Sequence, residues 1–239
     1  MMLREHLSEL YELHMVCKEF EQGIRKRRKN WKLYEPTQFV YSFFTFNAIY
    51  SYNWTASFSE RKVVPWSGSL SERQKIKNYT AFCCDTLEDE AHALFNRYLR
   101  ECLLCCSINS VDEARPILES IRAGAGISES KVRKFRKRFI QIANNRLVSL
   151  EAFEEALDGL LSFVYLIRNN VFHGSKTVVD IMGPGQRRRL IIYTAILLAA
   201  NELLFEAAKK GIDWRAPGGV SSPEKPRIGR DGKGPPDGN

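Results

Sequence analysis

An all-α fold follows from three observations on this 239-residue chain. Apolar residues recur every three or four positions along most of its length. Serines, glycines and prolines punctuate those stretches, and no segment of any length alternates with the period of two that a half-buried strand needs.

The first helix is expected from Leu3 to Lys29, where Leu3, Leu7, Leu10, Leu13, Val16, Cys17 and Phe20 form one apolar face. Pro36 opens a second near its first turn, and the aromatic stretch Phe39 to Trp54 continues it. Thr55 to Leu70, with Pro65 and Gly68, reads as a loop. Ser71 suits the N-cap of a long helix toward Cys106. Ser110 or Asp112 starts a short helix to Arg122, Gly124 and Gly126 interrupt, and Ser128 caps a helix to about Ala143. Ser149 opens the most regular stripe of all, through Leu150, Phe153, Leu157, Leu160, Leu161 and Val164 to Ile167, with Gly174 as its stop. After Gly183-Pro184-Gly185 a last helix is expected from Gln186 to Lys210. The reading is one helical domain over 1–212, with a core at about 149–210 and a disordered tail over 213–239, poor in residues able to pack.

Thirty-six lysines and arginines against 28 acidic residues give a net charge of +8 and a pI near 9.2, which makes contact with a polyanion such as RNA electrostatically easy. The two most apolar stretches, Phe39 to Trp54 and Leu190 to Phe205, fall short of the roughly 20 apolar residues of a bilayer span, so they read as core helices with no membrane partner. Six cysteines without an apolar leader at Met1 to Leu10 point to a reducing cytoplasm. Cys102, Cys105 and Cys106, with Cys83 and Cys84, invite a metal reading, but their spacing matches no zinc finger or ribbon and core packing explains them better. Paired carboxylates such as Glu154-Glu155 fit solvated helix faces, and no phosphate loop of the Walker type is present.

The chemistry concentrates in Arg168-Asn169-Asn170-Val171-Phe172-His173-Gly174. His173 alone among four histidines has an arginine four to six residues before it. His92, beside Glu88, Asp89 and Glu90, is expected to face solvent, and His6 and His14 have no catalytic company. A spacing of this kind arises readily by chance, and a histidine capping helix-end carbonyls beside a surface arginine is the plain alternative. Asn169, Gly174 and the helix-end setting make the string more restrictive. Histidine titrates near neutrality and can give or take a proton, arginine offers a charged planar fork to phosphoryl oxygens, and Asn169 can orient either. The helix C-terminus favours the imidazolium, which suits a general acid. Five residues at about 100° each leave Arg168 and His173 about 140° apart on an ideal helix, so they converge only through a loosened turn or a second chain.

This string resembles the motif of the HEPN superfamily, small helical bundles carrying an Arg, a polar residue and a His four to six residues beyond the Arg. Arg168, Asn169 and His173 match those positions, and Phe46, Asn47 and Tyr50 look more loosely like an early helix of such proteins. The resemblance implies a metal-independent, cofactor-free endoribonuclease whose two motifs meet in a homodimer, of the kind found in bacterial toxin and phage-defence systems, with an antitoxin or defence-system partner. Some members carry a modifiable tyrosine two residues after the histidine; Ser175 stands there. Lys176 and the triplet Arg187-Arg188-Arg189, which follow the motif in sequence, are the expected substrate contacts. Arg25 to Lys29 and Lys131 to Arg138 are further basic runs that fit solvated faces. The rival readings are a non-catalytic RNA- or nucleotide-binding or dimerisation module, and a helical scaffold with structural cysteines.

Overall fold

The computed structural model describes residues 1–24, 34–106, 108–124, 126–172, 181 and 183–217. Among them are nine helices and no strand: α1 (Leu3–Ile24), α2 (Tyr34–Tyr50), α3 (Trp54–Glu60), α4 (Glu72–Leu87), α5 (Glu90–Cys105), α6 (Val111–Glu119), α7 (Glu129–Ala143), α8 (Leu150–Phe172) and α9 (Pro184–Ile212). The all-α expectation therefore holds.

The serines expected to start helices do so by a common local mechanism. Ser71, Ser110 and Ser128 each accept a hydrogen bond from the backbone N–H three residues on. Ser149 does the same for Ala152 ahead of α8. Each satisfies a donor that the first helical turn leaves without an intrahelical acceptor. Replacing Ser128 by alanine is expected to lower unfolding free energy by ~1 kcal/mol, measured by urea denaturation, because α7 then begins with that donor uncapped.

Two elements differ from the sequence reading. The stretch taken as a loop contains α3, capped by the Asn53 side chain and anchored by Trp54, whose indole N–H donates to the Ile49 carbonyl at 2.7 Å. The expected single helix from Ser71 toward Cys106 is instead two. Glu88 adopts a positive φ of 54° and turns the chain between α4 and α5. Neither glycine nor proline marks this turn, so no local residue type announced it.

α9 is the axis of the bundle. It packs against α2 and α5 most extensively, and also meets α1, α4, α6 and α8. Apolar residues all round a helix are what such a position requires. It is long and apolar enough to cross a membrane, yet 89% of its most apolar window is buried within the fold, as in the core helix of a soluble bundle. α8 lies on the other side, against α7 and α4. Ordered packing continues past 212: Asp213 closes α9 in the left-handed region, and Trp214 is buried against Phe205 and Tyr11. The tail boundary at 213 is thus corrected, and the disorder expected for the remainder concerns residues 218–239, which lie outside those described.

The histidines are not bystanders. His92 does not face solvent as expected: its ring stacks on Phe153 at 5.0 Å and sits 3.4 Å from the Ile142 carbonyl, and burial lowers its pKa against the effect of that carbonyl. Together with Asn96 and Arg100, which donate to the Ile142 and Ala143 carbonyls, it closes the C-terminus of α7. His14 is fully buried. It shares a hydrogen bond of 3.0 Å with Glu202 of α9, whose carboxylate also receives Lys18. His6 is buried edge-on against Tyr52.

The cysteines are core residues. None of the six is in a disulfide; five are buried and Cys105 is half-buried. Burial pushes the Cys84 thiol up to about 12 and raises Cys83 and Cys102 well above the ordinary range. Protonated thiols behave as small hydrophobes.

Candidate functional site

The apolar stripe of α8 decides where Arg168 points. Leu161 and Val164 are buried, and residue 168 lies seven and four positions beyond them respectively, on the same helical face. The side chain is consequently directed at α2, where its guanidinium lies over the Phe43 ring, 5.3 Å from the centroid. One of its terminal nitrogens donates to the Asn169 side-chain oxygen at 3.0 Å. Tyr165, one turn earlier, packs against the same Phe43 ring at 6.3 Å.

α2 contributes a row rather than a single contact. Phe43, Asn47 and Tyr50 are spaced by four and three residues and so share a face. The Tyr50 hydroxyl donates to the Asn47 side-chain oxygen at 2.5 Å. Glu72, in the first turn of α4, faces this row and accepts from Lys75 at 2.8 Å. Burial disfavours its charge, but the hydrogen bond from Lys75, the polar Tyr50 hydroxyl nearby and the Lys75 and Arg168 charges prevail and hold its pKa below the usual carboxylate range. The converse holds for Tyr50: burial, then the adjoining Glu72 carboxylate, raises its hydroxyl pKa, against the opposing charge of Arg168. A cation over an aromatic ring, fixed laterally by an amide and flanked by a carboxylate, has lost much of its rotamer freedom before any ligand arrives.

Of the residues singled out from sequence, Arg168 and Asn169 are therefore brought together at the end of α8. His173 and Lys176 lie outside the described residues, as does Ser175. The arginine triplet divides three ways. Arg187 is only 8% exposed and meets both oxygens of Glu35 at 3.4 Å, an ion pair that fastens the start of α9 to the start of α2. Its expected role as a substrate contact is corrected accordingly, because its guanidinium serves the interior. Arg189 donates to the Gly185 carbonyl one turn back, and Arg188 is exposed. Glu35 precedes Phe43 by eight residues, about 12 Å along α2, so the Arg187 pair and the Arg168 seat are separate features.

Phe46 proves to be core, edge-on to Tyr79 at 5.6 Å. Asn47 and Tyr50, noted beside it in sequence, join the Arg168 neighbourhood. Phe43, Tyr165 and Glu72 were missed. The first two share helix faces with flagged residues and were within reach of periodicity; Glu72 comes from a separate helix and had no local signal.

Among the described residues, no group of three or more His, Cys, Asp or Glu side chains is placed to hold a metal ion. No protein-family model, curated protein or solved structure matches the chain.

Proposed function

We propose that this chain is a metal-independent endoribonuclease, with Arg168, Asn169 and His173 at its centre. One observation carries the reading: the Arg168 guanidinium is held by Phe43 and Asn169 five residues before the histidine of the RNNVFHG string. In the reaction, the RNA 2'-oxygen loses its proton and forms a bond to the adjacent phosphorus. The bond to the 5'-oxygen breaks, and that oxygen takes up a proton, leaving a cyclic phosphate and a 5'-hydroxyl. His173 moves a proton at one of these oxygens, and Arg168 stabilises the added charge on the phosphoryl oxygens.

One imidazole cannot be acid and base in the same step, so a second copy of the chain supplies the other. Leu13 and Val16, on the apolar face of α1, are exposed, surface of the kind a second copy covers. On this reading, which draws on the resemblance to HEPN proteins, the activity serves toxin action or phage defence in the bacterial cytoplasm, with an antitoxin or defence-system partner.

A second reading is a non-catalytic RNA- or nucleotide-binding or dimerisation module. What favours it is that Arg168 already engages Phe43, Asn169 and the field of Glu72, as a residue fastening α8 to its neighbours would. An RNase assay in excess EDTA separates the two. Cleavage that persists in chelator and disappears in His173→Ala is the expected result. Absence of cleavage by the wild type, or cleavage that survives His173→Ala, would sink the enzyme reading.

A further inference from the structure

The basic run Lys131 to Arg138 is not one solvated face. The α7 helix divides it. Arg136 turns to α6, donating to the Leu118, Glu119 and Ile121 carbonyls. Lys131, Lys134 and Arg138 instead fall on a common face, at intervals of three and four residues, and line a cleft of about 380 Å³ between α7, α8 and the start of α4. Arg73 of α4 adds a fourth cation, and Tyr165 lies at the end of the cleft toward Arg168. From Tyr165 to Arg168 is one turn of α8, about 4.5 Å along its axis.

We propose that this cleft binds the phosphodiester backbone of a single strand of RNA on its way to Arg168. The choice of an RNA strand rests on the ribonuclease reading; the cleft itself rests on its own geometry. The three α7 cations span about 10 Å along the helix, the reach of a short run of consecutive phosphates on one strand. A volume of this size takes a nucleotide-sized portion of a strand at a time and is far too small for a duplex. Neither Lys131 nor Lys134 forms an ion pair among the described residues, so both charges are available to phosphates. Tyr165 presents a ring on which a base can stack. Asp158, the one carboxylate among the lining residues, is an acceptor that a sugar hydroxyl can use. Burial raises its pKa, and the surrounding Arg73, Arg138 and Lys77 charges oppose that rise.

Gly159 shows that the cleft is built. A Cβ placed there would come 2.2 Å from the Arg138 guanidinium, so the absence of a side chain is what lets Arg138 lie across α8, where it also meets Glu155 at 3.1 Å. Since the clashing atoms are the far end of a flexible side chain, Gly159→Ala moves Arg138 out of its place without changing net charge. Alanine is also the better helix former, so the fold gains locally.

The test is fluorescence anisotropy with a labelled ten-nucleotide single-stranded RNA in EDTA, across a series of salt concentrations, on the full-length His173→Ala protein and further variants of it. Lys131→Gln/Lys134→Gln is expected to weaken binding at least tenfold at 0.15 M salt and to flatten the dependence of log affinity on log salt by about 1.4, two phosphate contacts at about 0.7 each. Gly159→Ala is expected to weaken binding severalfold with an unchanged or raised melting temperature. Arg115→Gln/Arg146→Gln removes the same charge from exposed sites elsewhere and should change affinity less than threefold. Binding that ignores the cleft variants, or that falls equally in the control pair, overturns the proposal. A wild type that cleaves nothing while RNA binding still depends on Lys131, Lys134 and Gly159 defeats the ribonuclease reading and leaves the cleft standing.

Discussion

On the proposed ribonuclease activity, Arg168→Lys is expected to slow RNA cleavage by ~100- to 1,000-fold, the scale seen when one donor aimed at developing transition-state charge is lost. Charge alone is not what the site holds. The guanidinium lies over the Phe43 ring while a terminal nitrogen donates to Asn169, so its plane and its rotation are both defined. Lysine keeps the charge on a rotating, strongly hydrated ammonium that can neither stack as a plane nor form a fork to two phosphoryl oxygens. The loss should therefore appear in the single-turnover rate more than in RNA affinity, since the cleft cations remain. Phe43→Leu, which keeps an apolar contact but removes the aromatic face, should fall between Arg168→Lys and wild type. Equal single-turnover rates for wild type and Arg168→Lys would remove Arg168 from the chemistry.

The second large effect lies in the interior. Glu202 meets His14 at 3.0 Å and also receives Lys18, with both carboxylate and imidazole withdrawn from solvent. Burial by itself would raise the Glu202 pKa; the hydrogen bonds and charges of His14 and Lys18 override it and pull the group down to about 2. An unfolded glutamate titrates near 4.3, so between these values the unfolded chain binds the extra proton and stability rises with pH. The contribution is complete above about pH 5 and lost as pH falls through about 2. At neutral pH it amounts to ~3 kcal/mol, from roughly 1.4 kcal/mol per pKa unit. Glu202→Gln is accordingly expected to cost about 3 kcal/mol at pH 7, by urea denaturation, because it leaves His14 and Lys18 facing a neutral group. At pH 2 its stability should approach that of wild type. A variant as stable as wild type at pH 7 would show that burying these groups cancels what their attraction returns.

These two sites differ in how visible they were. Arg168 and Asn169 are neighbours in sequence, and their helix-end position could be inferred from the stripe of α8. That the arginine is seated on Phe43 beside Glu72 required α2 and α4 to be in place. The division of Lys131 to Arg138 was beyond reach for the same reason: eight consecutive residues visit every side of a helix, and only neighbouring helices decide which side is a cleft, a cap or open solvent.

What the sequence determined by itself was local. The serine caps at Ser71, Ser110, Ser128 and Ser149 act over three residues, and apolar spacing sets which face of each helix is buried, so helix identity and the all-α class could be read without a partner in view. The tertiary structure decided everything that depends on who lies opposite. Arg187 passed as a surface cation until Glu35 was placed against it. His14 had no visible company until α9 brought Glu202 to it, and the turn at Glu88 carries no marker of its own. Periodicity specifies a face, whereas desolvation and charge pairing depend on the distance to a second face, and that distance exists only once the helices have packed.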